Sequence, residues 1–118
     1  KNYRFFNVKT AKNMELMKTS LCFVGHTHVP GIFYSYDGRM GYTPGPKVKI
    51  DRNKKYMINI GSIGQPRDSD PRASYAIYDD AEGSVEIRRT VYDVASAQEK
   101  ILKAGLPKRL AARLAIGR

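Results

Sequence analysis

The only two histidines of the chain lie one residue apart, at His26 and His28, in the stretch GHTH that follows the apolar run Leu21–Val24. In extended backbone, residues i and i+2 project from the same face, with Cα atoms ~6.5–7 Å apart. Neutral imidazole is the commonest metal ligand in proteins. Two imidazoles at this separation can share one ion, or each can bind one ion of a pair ~3.5–4 Å apart. The spacing also fits two hydrogen-bonded, inert histidines at a strand end.

A catalytic metal site requires more ligands than this pair supplies, because such sites usually have three protein ligands and an open position. The remaining ligands must come from elsewhere. Within the chain, the candidates with suitable oxygen atoms are Asp37, Asp51, Asn59, Asp68 and Asp70. Spacing alone places none of them beside the histidines.

The elements before and after the histidines follow from hydrophobic periodicity. A short helix is expected within residues 9–20, and the continuous run LCFV predicts a strand buried on both faces of a sheet. Gly25 lets the backbone leave this strand, and Pro30 ends ladder pairing soon afterwards. The histidines are therefore expected at the end of a buried strand.

The rest of the chain is predicted to contain hairpins followed by helices. Alternation and turn residues such as Asp37 and Gly38 predict about five or six strands in all. The predicted segments are hairpins at 31–43 and 74–93, strands at 47–50 and 56–60, and a loop at 61–73. Asp93 is a good N-cap for a first tail helix, Gly105 a signal for its end, and Pro107 for the start of a second. This layout predicts a layered α/β fold in a single domain, residues 1–118, with strands over about 20–92 and a helical tail over 93–118.

Composition limits the classes of partner. The net charge is +10, and the excess lies at the ends, with five basic residues against one acidic in residues 1–20 and six against two in residues 91–118. Such a balance favours anionic partners or simply a solvated surface. The lone Cys22 cannot form an internal disulfide, which is typical of a reducing cytoplasm. No apolar stretch approaches the ~20 residues of a membrane span.

Three segments in order carry a resemblance to a known family. FVGHTHVP after the predicted strand resembles the last conserved motif of the calcineurin-like metallophosphoesterases. INIGSIGQPRDSDPRASYAIYD resembles the loop and strand of the small bacterial members, and the tail from residue 92 is similar to their helical end. The resemblance covers roughly residues 21–118. Besides the histidines, the positions that support it are Gly25, Asn59, Gly61, Ser62, Gly64 and Gln65.

The resemblance implies a sandwich of two mixed sheets flanked by helices and a site with two divalent metal ions. Mn, Fe, Ni, Zn and Mg are not distinguished. It implies that His26 ligates one ion and His28 the other. The chain lacks the Asp-x-His and Gly-Asn-His motifs and the further histidine of that family. It therefore resembles the C-terminal half of such an enzyme, and we expect it to be inactive without the missing N-terminal half.

The implied reaction is hydrolysis of a phosphomonoester or phosphodiester substrate. Arg67 and Arg72 could offer planar donors to its phosphate, or they could be solvated or paired with Asp68 or Asp70. The backbone N–H groups of Gly61 and Gly64 could contact an anion or simply form a turn.

Two other function classes remain open at this stage. One is a basic, non-enzymatic module that binds nucleic acid or another polyanion. The other is a structural fragment that assembles through exposed strand edges. If the N-terminal half is absent, the sheet face that should pack against it is bare, and we expect a homo-oligomer of this fragment.

Overall fold

The computed structural model of the chain describes residues 8–43 and 45–118. Within these ranges, three α-helices, seven β-strands and a final 3₁₀ helix follow one another. In chain order they are α1 (Val8–Leu16), β1 (Leu21–Val24), β2 (Gly31–Tyr36), β3 (Arg39–Thr43), β4 (Lys47–Lys49), β5 (Lys55–Asn59), β6 (Ala73–Asp79), β7 (Ser84–Thr90), α2 (Val94–Lys103), α3 (Lys108–Ala112) and the 3₁₀ helix Arg113–Ile116. The described residues thus contain seven strands rather than the expected five or six.

The strands form two sheets. A mixed sheet has the order β1-β5-β2-β3, and an antiparallel sheet has the order β4-β7-β6. Strands β1 and β5 run parallel, with Leu21 opposite Tyr56 and Val24 opposite Asn59. Because parallel strands end at the same edge of a sheet, the loop that begins at Gly25 starts beside Asn59.

The core lies between the two sheets. Ile32, Tyr56 and Ile58 of the mixed sheet pack with Val85 of the antiparallel sheet, and all four are almost fully buried. Burial of each such side chain is worth about 1.5–3 kcal/mol. This face-to-face packing fixes the ends of β1 and β5, from which the histidine loop departs.

Helix α1 packs on β5 at the start of the described chain. Its Met14 is buried, and Lys55 donates from Nζ to the main-chain oxygens of Glu15 and Met17 at 3.1 and 2.8 Å. A cation at a helix C-terminus satisfies free carbonyls and is favoured by the helix dipole. The expected helix within 9–20 is thus present, but it ends at Leu16.

The run LCFV does form a strand, but it is not buried on both faces as expected. Strand β1 lies at the edge of its sheet. Phe23 is 43% exposed, and Leu21, Cys22 and Val24 are only half-buried. The sequence pattern identified the strand but not its position, because a continuous apolar run does not say whether both neighbours are present in the same chain.

The helical tail is confirmed. Asp93 caps α2 by accepting a 2.9 Å hydrogen bond from the Ser96 backbone, and Gly105 follows its end with a φ of 72°. Pro107 is the N-cap of α3 rather than its first helical residue. Gln98 joins the two helices by donating to the Ala111 carbonyl at 2.9 Å. None of the helices in the described ranges combines the length and the apolar character that crossing a membrane requires.

Candidate metal-binding loop and adjacent cleft

The backbone of the GHTH loop is not extended, and the expectation that His26 and His28 project from extended strand is wrong. His26 has a φ of 72° and His28 a φ of 60°, both in the left-handed region. Non-glycine residues adopt this region uncommonly, at a cost of order 1–3 kcal/mol each, and they cluster at functional sites. Two such residues in one tetrapeptide mean that surrounding contacts hold the loop in place.

Asn59 supplies the main contacts. Its side chain is 6% exposed and donates from Nδ2 to the Gly25 carbonyl and to Thr27 Oγ1, both at 2.9 Å. Its Oδ1 accepts from the Gly61 backbone at 3.0 Å. All three bonds join the last residue of β5 to the two loops that leave the sheet here. Asn59 therefore braces the histidine loop. Both its amide nitrogen and its amide oxygen already form hydrogen bonds within the chain.

His28 is held from a second side. Its Nδ1 lies 2.7 Å from the Gln65 carbonyl, and its own carbonyl accepts from the Arg67 backbone at 3.1 Å. A carbonyl only accepts, so Nδ1 carries the proton, and in the neutral ring Nε2 then keeps its lone pair. This arrangement orients imidazole rings that bind metals in proteins.

The loop that contacts His28 is itself fixed to the sheets. Gly61 has a φ of 79°, and a Cβ there would lie 2.7 Å from Ser74 Oγ, so the position requires glycine. Ser62 Oγ accepts from the Gln65 backbone at 2.9 Å. These contacts favour the turn-forming role of Gly61, whose N–H is already used by Asn59. Gly64 is exposed.

A partly buried ion pair anchors the far end of the same loop. Arg89 on β7 pairs with Asp68 and also donates to the Arg72 carbonyl at 3.1 Å. The two paired side chains are 15% and 20% exposed. The loop that contacts His28 is thus attached to the antiparallel sheet, so the position of one histidine depends on both sheets.

His26 faces a cleft of about 580 Å³. Arg67 lies on the same cleft, and Phe33, Tyr42 and Met57 form an apolar part of its lining. His26 itself is exposed, whereas His28 is half-buried. A cationic guanidinium beside an exposed imidazole can bind an anion next to a metal.

The carboxylates considered as further metal ligands are hydrogen-bonded or ion-paired to other groups, or belong to a different turn of the fold. Asp51 accepts from the Asn53 backbone at 2.9 Å, and this bond lowers the pKa of its carboxyl. Arg72 contacts both carboxylate oxygens of Asp70 and holds the pKa of Asp70 at about 2. Asp37 lies in the β2–β3 turn. No group of three or more His, Cys, Asp or Glu side chains in residues 8–43 and 45–118 is arranged to hold a metal.

The two candidate phosphate-binding arginines differ in what they contact. Arg67 lines the cleft and donates to Gln65 Oε1 at 2.7 Å. Arg72 is paired with Asp70 and is not part of the cleft lining. Of the two, Arg67 is in position to meet a ligand beside His26.

Sequence reasoning missed the roles of two residues. It treated Asn59 as a possible ligand or a motif position, and it did not single out Arg89. The signal for Asn59 was a lone amide at the end of an apolar strand before glycine, where a side chain can reach a neighbouring loop. The alternation of β7 does separate the two arginines, since Arg89 shares the face of the apolar Val85 and Ile87, whereas Arg88 lies on the other face and pairs with Glu86.

Comparisons with known proteins find chains similar to this one. No protein-family model matches the chain. It is 38% identical to a metallophosphoesterase from Sphaerobacter thermophilus whose crystal structure is known, with a TM-score of 0.79 over 93% of this chain and 48% of that one. It is also 47% identical, over 98 residues, to an uncharacterized protein of Methanocaldococcus jannaschii, which is 83% of this chain and 40% of that protein.

The chain thus spans less than half the length of each of these two relatives. Its layered α/β fold, with a mixed sheet, an antiparallel sheet and two C-terminal helices, is that of part of a metallophosphoesterase. The similarity supports a superfamily of the phosphoesterase type.

Proposed function

We propose that the chain is the C-terminal part of a metal-dependent phosphoesterase that hydrolyses phosphomonoesters or phosphodiesters. In this proposal His26 ligates one divalent ion and His28 the other. The similarity to the Sphaerobacter metallophosphoesterase supports the class of enzyme. The ligand roles rest on the residues of the loop.

The observation that carries the proposal is the hydrogen bond between His28 Nδ1 and the Gln65 carbonyl. It directs the unprotonated Nε2 away from the supporting loop and fixes the tautomer that a metal requires. The left-handed backbone at both histidines supports the same role.

The residues present fit part of a dinuclear site. Two imidazoles are suitable ligands for Mn, Fe, Ni or Zn, whereas Mg prefers oxygen. When bound, a metal pair lowers the pKa of water and neutralises charge on a phosphoryl group. The chain's own contribution is to hold the two imidazoles and to place Arg67 where it can bind a phosphate oxygen.

The remaining ligands belong, in this proposal, to an N-terminal half of the same parent protein. The length of the relatives supports this, since the chain covers only 40% and 48% of them. The exposed edge at β1 is where we propose that the other half adds strands. A cytoplasmic location, inferred from the lone Cys22, is part of the same proposal.

The experiment measures turnover of bis-p-nitrophenyl phosphate by the parent protein with Mn²⁺, Ni²⁺ or Mg²⁺. His26→Ala and His28→Ala should each lower activity by more than the roughly 10–100-fold typical of lost supporting residues. In EDTA, His26→Ala should unfold like the parent, because His26 is exposed and adds stability mainly through bound metal. His28→Ala should lose about 0.5–1.5 kcal/mol with the hydrogen bond to the Gln65 carbonyl. Lys49→Ala, exposed on β4, is the control. The 118-residue chain alone should show no appreciable turnover.

Near-normal turnover by either histidine variant at saturating metal would refute the ligand roles. Turnover by the 118-residue chain that disappears in His26→Ala would instead refute the claim that the site is incomplete.

A further inference from the structure

Three arginines at the end of the tail line one groove. Arg109, Arg113 and Arg118 surround a volume of about 320 Å³, and they are its only lining residues in the part of the chain that the structure describes. Arg109 and Arg113 are four residues apart across α3 and the 3₁₀ helix, so they share a face. The groove is separate from the cleft beside His26, with which it shares no lining residue.

The turn that carries Arg118 is firmly held. Gly117 has a φ of 62°, and a Cβ there would lie 2.7 Å from the Asp70 backbone. Its carbonyl accepts from the Ser69 backbone at 2.9 Å. Arg118 itself donates to the Arg113 carbonyl at 3.2 Å and accepts from Arg113 Nε at 2.5 Å. The three guanidinium groups therefore converge because of a built turn, not through a chance arrangement of a loose end.

No Asp or Glu side chain among the described residues pairs with this cluster, and four of them are engaged elsewhere. Glu99 pairs with Lys103, and Asp93 caps α2. Asp70, beside Gly117, pairs with Arg72, and Asp68 pairs with Arg89. Like charges four residues apart on a helix repel one another. The groove thus concentrates positive charge that no acidic side chain of the described residues offsets.

We propose that this arginine groove binds a phosphate-type oxyanion. Guanidinium groups are planar, weakly hydrated and always charged, and their paired N–H donors match two oxygens of a phosphate. Arg113 has only Nε engaged in the described residues, which leaves its terminal amino groups to face the groove. Binding of the anion would remove the repulsion among the three side chains. The source is either free phosphate or a phosphate of a polynucleotide chain.

This inference does not depend on the proposed metal site. Among the described residues, no histidine, aspartate or glutamate lines the groove, so binding should persist in EDTA and in the double variant His26→Ala, His28→Ala. Failure of the metal proposal and failure of this one are therefore distinguishable.

The test titrates the 118-residue chain in EDTA at low salt with inorganic phosphate, pyrophosphate and a short single-stranded oligonucleotide. The variant Arg109→Gln, Arg113→Gln, Arg118→Gln should bind at least about 10-fold more weakly, since charge-assisted hydrogen bonds are lost. The control Lys49→Gln, Arg52→Gln, Lys100→Gln removes the same charge from exposed positions outside the groove and should bind like the parent chain.

Tighter binding of the oligonucleotide than of pyrophosphate would identify a polynucleotide as the source, and the reverse order would identify free phosphate. Both results support the groove if they depend on the three arginines. Equal loss in the two triple variants, or no binding of any of the three probes, would overturn the proposal, because the positive charge would then act only as a diffuse field.

Discussion

The histidine loop and strand β1 directly before it differ in how completely other residues contact them. Polar groups of the loop have hydrogen-bond partners, whereas the strand has one pairing partner and an exposed apolar side chain. Residues 25–28 are exposed or half-buried, yet the carbonyls of Gly25 and His28, the Thr27 hydroxyl and the His28 ring all have hydrogen-bond partners. Strand β1, directly before them, has only β5 as a partner within the described residues. Its Phe23 is 43% exposed and meets the ring of Tyr78, itself 51% exposed, edge-on.

This difference separates the loop, whose conformation is fixed by contacts within the described residues, from the sheet edge, which these residues leave unpaired. The chain fixes the local conformation of the loop through bonds within its own residues. Residues 8–43 and 45–118 add no further strand at the sheet edge beside that loop, although unpaired strand edges and apolar patches are usually protected in soluble proteins. A braced histidine loop beside an unpaired strand edge is the arrangement that the proposed division of the site between two halves requires.

The largest effect is expected from removing the brace of the loop. Asn59→Asp keeps the shape but replaces two N–H donors by an oxygen that faces the Gly25 carbonyl. An unsatisfied buried group or charge of this kind should lower the free energy of unfolding by about 2–4 kcal/mol. Urea unfolding measures it. Asn53→Asp, exposed in the turn before β5, is the matched control, and equal losses in the two variants would show that Asn59 does not brace the loop.

Local signals in the sequence predicted the elements well. Asp37 and Gly38 mark the β2–β3 turn, Asp93 caps α2, and Gly105 ends it, because each depends on interactions within a few residues. The identity of the histidine pair as the candidate site also came from the sequence. The geometry of that pair did not, because the left-handed backbone at His26 and His28 is imposed by Asn59 and Gln65, more than 30 residues away.

The arrangement of the strands was equally beyond local patterns. β4 and β5 are neighbours in the chain, yet β4 joins the antiparallel sheet and β5 the mixed one. Nothing in the alternation of their residues distinguishes the two destinations. The exposure of Phe23 also depends on which strand lies beside β1, and a continuous apolar run does not contain that information.

The second prediction concerns the uncovered edge. The 118-residue chain should form a dimer or higher oligomer, because burying one large apolar side chain is worth ~1.5–3 kcal/mol. The net charge of +10 opposes association, but exposed charges are screened beyond about 10 Å at 0.1 M salt. Phe23→Lys should weaken self-association by about 10–100-fold. Sedimentation equilibrium at micromolar concentration and moderate salt measures this constant.

Leu102→Lys provides the control for added charge, because Leu102 is 47% exposed on α2, away from β1. It should leave the association constant close to that of the unmodified chain. A monomer of 13.3 kDa at all concentrations would mean that the chain closes its own core. In that case the contrast between loop and edge would have no bearing on a missing half.

The smallest effect is expected at Asp70, which lies between the histidine loop's support and the tail. Its folded-state pKa of about 2 is below the ordinary 3.8, chiefly because Arg72 donates to the carboxylate. A lowered pKa adds stability above pH 3.8 that is lost as the pH falls towards 2. Both side chains are partly exposed, Asp70 at 26% and Arg72 at 52%, so solvent screening limits the contribution to about 0.5–1 kcal/mol.

Asp70→Asn should therefore lower the unfolding free energy by no more than this at pH 7, and the difference should disappear near pH 2. Unfolding of both proteins between pH 7 and 2 measures it, with the exposed turn variant Asp80→Asn as control. A loss as large as that of Asn59→Asp, or one that persists at pH 2, would show that Asp70 supports the loop through its shape and not through its charge.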